Sequence, residues 1–376
     1  MSRRTTRPSR VGGSFPGEAR KAASSTFPED ARRAVSKGTS PSTRDAAPSW
    51  TGASDDRERV LDWIDSWVRD DALVRLISAF GVVDRLPRST EALLEHLDAF
   101  SAANWDFRGG RERNLARAPH FTPGQLGAIE SAADALGLDS STAPSRPEYD
   151  AVLMTGGMVR AGIVKPRYVR ELVDAGLRTR GVVFVGGFRP FGGDEHELAR
   201  RLGVAGDDEF DAMSGGLVAA FGLNIAADRR EVVAENPNAS WREDSWPVSA
   251  VAAGATLTVL AAPSKHPESR RANTEDTLRF WAARVGGAVR SVLVVTTPVY
   301  VPYQGSIAVR VLGLEFGMAV ETVAVSASAS DLGEDTQPFL PRHKLQEIRS
   351  AIRGIRDLHA STRGLTSALR QHPRVE

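Results

Sequence analysis

The sequence predicts an α/β protein whose doubly wound, mostly parallel sheet follows an all-helical N-terminal region and a disordered N-terminal tail. Three observations predict it. Short Val-rich runs from residue 149 onward each stop at Gly, Thr, Ser or Ala-Pro. Helical stretches separate those runs. Upstream, apolar residues recur at helical spacing. Apolar runs without alternation suit parallel strands buried on both faces, and strand–helix alternation selects right-handed crossovers.

Residues 1–54 form the expected tail. Residues 1–50 carry ten basic and four acidic side chains, a formal +6, so the rest of the chain is −5 and the whole +1. Their large apolar residues (Val11, Phe15, Phe27, Val35, Trp50) are too few to offset the entropy of ordering. No apolar stretch makes a secretory signal, and Glu18, Glu29 and Asp30 argue against a transit peptide, so the expected location is cytoplasmic. The chain has no cysteine, which excludes disulfides, Cys-ligated metals and thiol catalysis. No apolar run nears the roughly 20 residues of a membrane span. The acidic body argues against a broad nucleic-acid surface. Oligomeric state is not set by any of these features.

Residues 55–140 read as helices. Val60, Leu61, Ile64, Trp67 and Val68 make one stripe, and Leu73, Leu76, Ile77 and Phe80 a second that stops at Gly81. Ser89 or Thr90 caps a third helix carrying Leu93, Leu94, Leu97 and Phe100. Thr122-Pro123-Gly124-Gln125 opens a fourth with a capping box and Pro at the first position. Between the third and fourth, Arg108, Arg111 and Arg113 flank Gly109-Gly110. They read as an anion-binding fork or lid, or as a solvated turn pairing with Asp106 and Glu112.

Asp139 to Pro147 reads as a linker, and residues 148–330 as the α/β domain. Its expected strands are Tyr149–Met154, Val182–Val185, Thr256–Ala261, Ser291–Val295 and Val320–Val325. Helices are expected near 166–180, 194–203, 273–285 and 304–313. This pattern is Rossmann-like. A C-terminal helix over 340–362, with Leu345, Ile348, Ile352, Ile355 and Leu358 on one face, packs on the domain, and 363–376 form a flexible tail.

Open α/β sheets bind ligands beyond the carboxyl ends of their strands, so those ends hold the candidates. Gly156-Gly157 and Gly186-Gly187, the latter followed by Arg189, make tight turns suited to an anion. Neither is a dinucleotide or Walker fingerprint. Asn273-Thr274 begins a helix and faces the ligand or merely caps. Thr296, Thr297, Tyr300, Tyr303 and Gln304 form a polar, aromatic strand end that stacks on a flat group or is a packed loop with satisfied hydroxyls. His266 is the best-placed titratable base, and a Ser–His hydrolase lacks its sequence elbow. Asp194-Glu195-His196-Glu197 are adjacent on a helix and diverge, so no metal is expected there.

The order strand–Gly-Gly, helix with Arg167, strand–Gly-Gly with Asp194-Glu195, then Glu268…Asn273-Thr274, a strand ending VTTP, and Pro302 resembles the YdcF/SanA/ElyC-like family (domain of unknown function 218) over roughly residues 148–320. The family's second Asn, its His and its Arg fall at Thr277, Tyr300 and Tyr303 here. The resemblance implies a Rossmann-like fold, adds Arg167 and Glu268 to the ligand-binding set, and makes Glu195 a general base or ribose acceptor, the other candidate catalytic residue being His266. It also implies S-adenosylmethionine or another nucleotide as ligand. The combined expectation is a protein that binds a nucleotide-like or phosphorylated small molecule, and acts as a group-transfer enzyme. The alternatives are a phosphoric-ester hydrolase with the same anion cradle and a non-enzymatic ligand-sensing or interaction protein.

Overall fold

The computed structural model describes residues 45–81, 85–107, 119–139, 141–247 and 255–371, the last seven of these by backbone alone. The tail up to residue 44, Arg108, Arg111 and Arg113, and residues 372–376 lie outside the described residues.

Among the described residues four helices precede the sheet: α1 (Asp56–Val68), α2 (Asp71–Ala79), α3 (Thr90–Trp105) and α4 (Pro123–Ala135). Their starts follow the local chemistry. Asp70 and Ser89 cap α2 and α3 by accepting from Ala72 N and Ala92 N, and Thr122 and Gln125 close a capping box on α4. Residues 45–54, expected in the tail, belong to the described fold. Trp50 makes an antiparallel bridge with Val320, and Ala46 and Ala47 are buried.

The sheet follows as β1 (Glu148–Thr155), β2 (Arg178–Gly186), β3 (Asp228–Val232), β4 (Trp241–Pro247), β5 (Thr256–Ala261), β6 (Ser291–Thr296) and β7 (Ala319–Ala324). Its order is β3-β4-β5-β2-β1-β6-β7. The five strands from β5 to β7 are parallel, as expected, while β3 and β4 add antiparallel at one edge. Those two escaped the sequence reading because their residues, DRREV and WREDSWP, are dominated by charge. An exposed edge strand tolerates charge, which also blocks further pairing. The chain runs from β1 outward to β2 and later returns across β1 to β6, so the switch of direction lies between β1 and β6.

Helices cover both faces: α5 (Val159–Asp174), α6 (Glu195–Arg201), α7 (Glu209–Phe221), α8 (Thr274–Val285), α9 (Val301–Ala308), which continues as a π-helical segment Val309–Glu315, α10 (Ala327–Ser330) and α11 (Pro341–Gln371). The strands divide their side chains by alternation. Val152, Met154, Val182 and Phe184 pack with α5 and α7. Leu153, Val183, Val185 and Val294 join a core shared with α8, α9, α11 and the four N-terminal helices.

Three expected boundaries move. The helix placed at 166–180 is α5, and it begins at Val159 because Pro166 sits inside it and not at its start. Proline there removes the donor that would serve the Gly162 carbonyl one turn earlier. That carbonyl lies where a Cβ at Gly216 of α7 would stand, 1.8 Å away, so two glycines let the helices touch backbone to backbone. Strand β2 starts at Arg178, earlier than Val182, because exposed Arg178 and Arg180 alternate with buried Thr179. The helix expected to end at 362 runs on to Gln371.

Candidate functional site

A cleft of about 940 Å³ opens at the carboxyl ends of the parallel strands, walled on its far side by α11. Its floor is built by the two Gly-Gly turns. A Cβ on Gly156 would stand 2.8 Å from Glu209 Oε1 and 3.0 Å from Gly186 Cα. Glycine at 156 is therefore what lets the Glu209 carboxylate lie between the turns.

Glu209 reaches this place from the first turn of α7. Asp208 caps that helix by accepting from Asp211 N at 3.0 Å, and Glu209 N donates to Arg189 O at 2.9 Å, which ties the helix start to the end of β2. The carboxylate accepts from Gly187 N at 3.2 Å, and the Gly157 N–H lies close enough to favour its charged form. Burial pushes the Glu209 carboxyl upward, against the nearby charges of Arg189 and Arg271 and those N–H groups. The expectation that the Gly-Gly turns hold a ligand's anionic part is thus revised at Gly157 and Gly187, whose N–H groups already face the protein's own carboxylate.

Behind the floor lies a polar network. Lys165, fully buried, donates to Thr155 O at 2.5 Å, Thr155 Oγ1 at 2.9 Å and Gly156 O at 3.3 Å. Thr155 Oγ1 donates to Gln304 Oε1 at 2.8 Å, and Thr296 bonds the same oxygen. This network joins the ends of β1 and β6 on either side of the switch point. Burial lowers Lys165 to about 7, with the charge of Glu209 opposing the shift.

The charge of the walls is positive. Arg160, Arg189, Arg270, Arg271, Arg349 and Arg353 line the cleft against Asp106, Asp139, Glu209 and Glu347, a formal +2 within a body of −5. Arg349 pairs with Asp106 at 3.3 Å, Lys344 with Asp139 at 2.7 Å, and Arg270 with the buried Asp276. The N-terminus of α5 also opens here. Its cap, Met158, offers no side-chain bond, and its first turn holds no acidic residue. The first N–H groups of a helix lack partners within it, so this end attracts an anion.

Of the residues singled out from sequence, Gly156, Gly157, Gly186, Gly187, Arg189, Asn273, Thr274, Thr297 and Tyr300 line the cleft. Asn273 is occupied as a cap, exchanging bonds with Asp276 in a capping box. Tyr300 packs edge-on against Phe339 at 6.5 Å. Thr296 is buried in the network behind. Four others stand elsewhere. Glu195 is buried and grips Arg189 with both oxygens, so its lone pairs are directed to a protein partner. His266 and Glu268 are exposed on the loop after β5, outside the lining. Arg167 is exposed and donates to Asp331 O at 3.0 Å.

Sequence reasoning missed Glu209, Lys165, Arg160 and the arginines of α11. The signal for Glu209 was present in Asp207-Asp208-Glu209 before an apolar helix, but such a run reads as an ordinary acidic helix start. Among the described residues no group of three or more His, Asp or Glu side chains is placed to hold a metal, and no helix is long and apolar enough to cross a membrane.

Fold and site together define a doubly wound α/β protein with an arginine-lined cleft at its switch point. Residues 51–137 match the family described as the Rv3785 N-terminal domain. Over 323 residues the chain is 32% identical to the uncharacterized protein Rv3785 of Mycobacterium tuberculosis, spanning 80% of this chain and 89% of that one. The uncharacterized protein Mb3814 of Mycobacterium bovis matches to the same extent. The chain therefore belongs to the Rv3785 family. This overturns the resemblance to the YdcF/SanA/ElyC-like family. The features behind that resemblance, Gly-Gly after a strand and Asn-Thr opening a helix, are solutions any doubly wound sheet reaches for turns and caps. No solved structure matches the chain.

Proposed function

We propose that the cleft binds a phosphorylated small molecule of nucleotide size and that the protein is a group-transfer enzyme acting on it. The observation that carries this reading is a cleft at the switch point that is lined by six arginines and into which the N-terminus of α5 opens. Guanidinium groups bond phosphate oxygens in pairs, and a helix N-terminus adds aligned N–H donors. The cleft lies at the upper end of the roughly 300–1,000 Å³ range of small-ligand sites, large for a bare phosphate. The excess of arginine favours phosphate over the cationic sulfonium of S-adenosylmethionine. A cytoplasmic location, expected from the sequence, suits such a substrate.

The test is a thermal-shift series on the full chain with nucleoside mono- and diphosphates, sugar phosphates, inorganic pyrophosphate and S-adenosylmethionine. A ligand at about 100 times its Kd stabilises by about 2.7 kcal/mol, which a melting curve resolves. The reading expects a rise in Tm with phosphorylated ligands that weakens with salt and with Arg189→Ala. Stabilisation by S-adenosylmethionine alone, or by none of the compounds, overturns it.

A further inference from the structure

Glu209 lies in the floor of the cleft with spare accepting capacity. Among the described residues it accepts one hydrogen bond, from Gly187 N, with the Gly157 N–H nearby. An ionised carboxylate accepts about four hydrogen bonds, so about two more are open to a ligand. Asp106 and Asp139, also in the cleft wall, instead face the cations Arg349 and Lys344. A ligand group that completes Glu209 must bring two donors side by side, and it must do so next to the α5 N-terminus.

We propose that Glu209 accepts both hydroxyls of a vicinal diol, so that the ligand of the cleft is a ribonucleotide whose phosphates lie toward the start of α5. This rests on the reading of the cleft as a phosphate-binding site and narrows it to one substrate class. The placement supports it. In the dinucleotide-binding members of the doubly wound class an acidic side chain bonds the ribose while the phosphates take the first helix N-terminus, and the same division of labour is open to a sheet without their Gly-rich fingerprint. Here the acidic side chain is Glu209, reaching from α7 against Gly156 and Gly186 at the ends of β1 and β2. Two hydroxyls on adjacent carbons match the two oxygens of one carboxylate. The backbone N–H groups keep the carboxylate oriented before the ligand arrives, which reduces the ordering cost of binding.

The experiment measures affinity by calorimetry for the four ribonucleoside 5′-diphosphates, their 2′,3′-dideoxy counterparts and inorganic pyrophosphate, on the full wild-type chain and on Glu209→Gln. The expected result is that at least one ribonucleotide binds about tenfold or more tightly than its dideoxy counterpart on the wild type. Glu209→Gln, melting as a folded protein, removes most of that difference and leaves pyrophosphate binding in place. Equal affinity for ribo and dideoxy forms overturns the diol assignment while the phosphate reading stands. So does a preference that Glu209→Gln leaves intact, or binding of pyrophosphate without any nucleotide. No binding of nucleotide or pyrophosphate overturns the diol assignment, and the phosphate reading falls with it when the sugar phosphates of the thermal-shift series also fail to stabilise.

Discussion

Glu195 holds Arg189 by two parallel hydrogen bonds, 3.0 Å from Nη1 and 2.8 Å from Nη2, and accepts a third from Gly192 N at 3.0 Å. The glutamate is 1% exposed, while the arginine it fixes lines the cleft. This arrangement makes Glu195 a positioning residue: it orders the guanidinium at the end of β2 and brings no lone pair to a ligand.

Breaking that pair from the acidic side is expected to be costly, because it removes both hydrogen bonds that Glu195 makes to a nearly buried guanidinium. Glu195→Ala should lower stability by about 3–5 kcal/mol, measured by urea unfolding. Glu195→Gln, which keeps the shape, should lose less stability yet still weaken phosphate-ligand binding through a less ordered Arg189. Unchanged stability in Glu195→Ala would show that the bridge has no structural part.

The α5–α7 contact sets where both the α5 N-terminus and Glu209 stand. A methyl group at 216 would lie 1.8 Å from the Gly162 carbonyl oxygen and 2.7 Å from its carbon, both backbone atoms that cannot rotate away. Gly216→Ala should therefore force the helices apart at the upper end of the overpacking range, about 3 kcal/mol. Gly364→Ala, at an exposed position of α11 with nothing near its Cβ position, serves as the control. Equal melting temperatures for the two variants would contradict the close approach.

Lys165 gives a pH-dependent expectation. Its folded value is about 7 against an ordinary 10.5. Between those values the unfolded chain holds a proton that the folded chain lacks, so raising pH favours the fold. The stability of the wild type relative to Lys165→Met should therefore climb from about pH 7 to pH 10. Below pH 7 the penalty of burying the charge is fully present and the difference should be flat. Parallel stability profiles for the two proteins across that range would show that Lys165 stays charged on its three oxygens.

The parts of the fold written in local chemistry were legible in the sequence. Val182 to Val185 reads as a buried parallel strand because both faces of the sheet are covered, and Thr122-Pro123-Gly124-Gln125 caps α4 as its residues require. What the sequence concealed depends on neighbours far along the chain. Pro166 looks like a helix start until Gly216 is seen to shield the carbonyl it frees. Asp228 to Val232 looks like a charged loop until it becomes an edge strand. At the site, the turns 156–157 and 186–187 were visible, but the carboxylate between them comes from residue 209, and its glycine-lined seat exists only once β1 and β2 are paired.

The segment before α1 supplies the last expectation. Trp50 N donates to Val320 O at 2.9 Å and Val320 N returns a bond to Trp50 O at 2.5 Å, so the segment adds one antiparallel bridge to the free edge of β7. Three glycines receive it at close range: a Cβ at Gly313 would stand 2.7 Å from Trp50 Cγ, at Gly305 2.5 Å from Ala47 Cβ, and at Gly137 2.7 Å from Ala46 Cα. These glycines lie in the π-helical segment after α9, in α9 itself and just after α4, so one short strap clasps the helical region to the sheet. Trp50→Ala should remove the half-buried indole and cost about 2 kcal/mol in urea unfolding. Gly313→Ala should cost a similar amount by displacing the ring. Combining the two should cost less than the sum, since the alanine at 313 then has no ring to displace. Full additivity would mean that Trp50 and Gly313 do not touch.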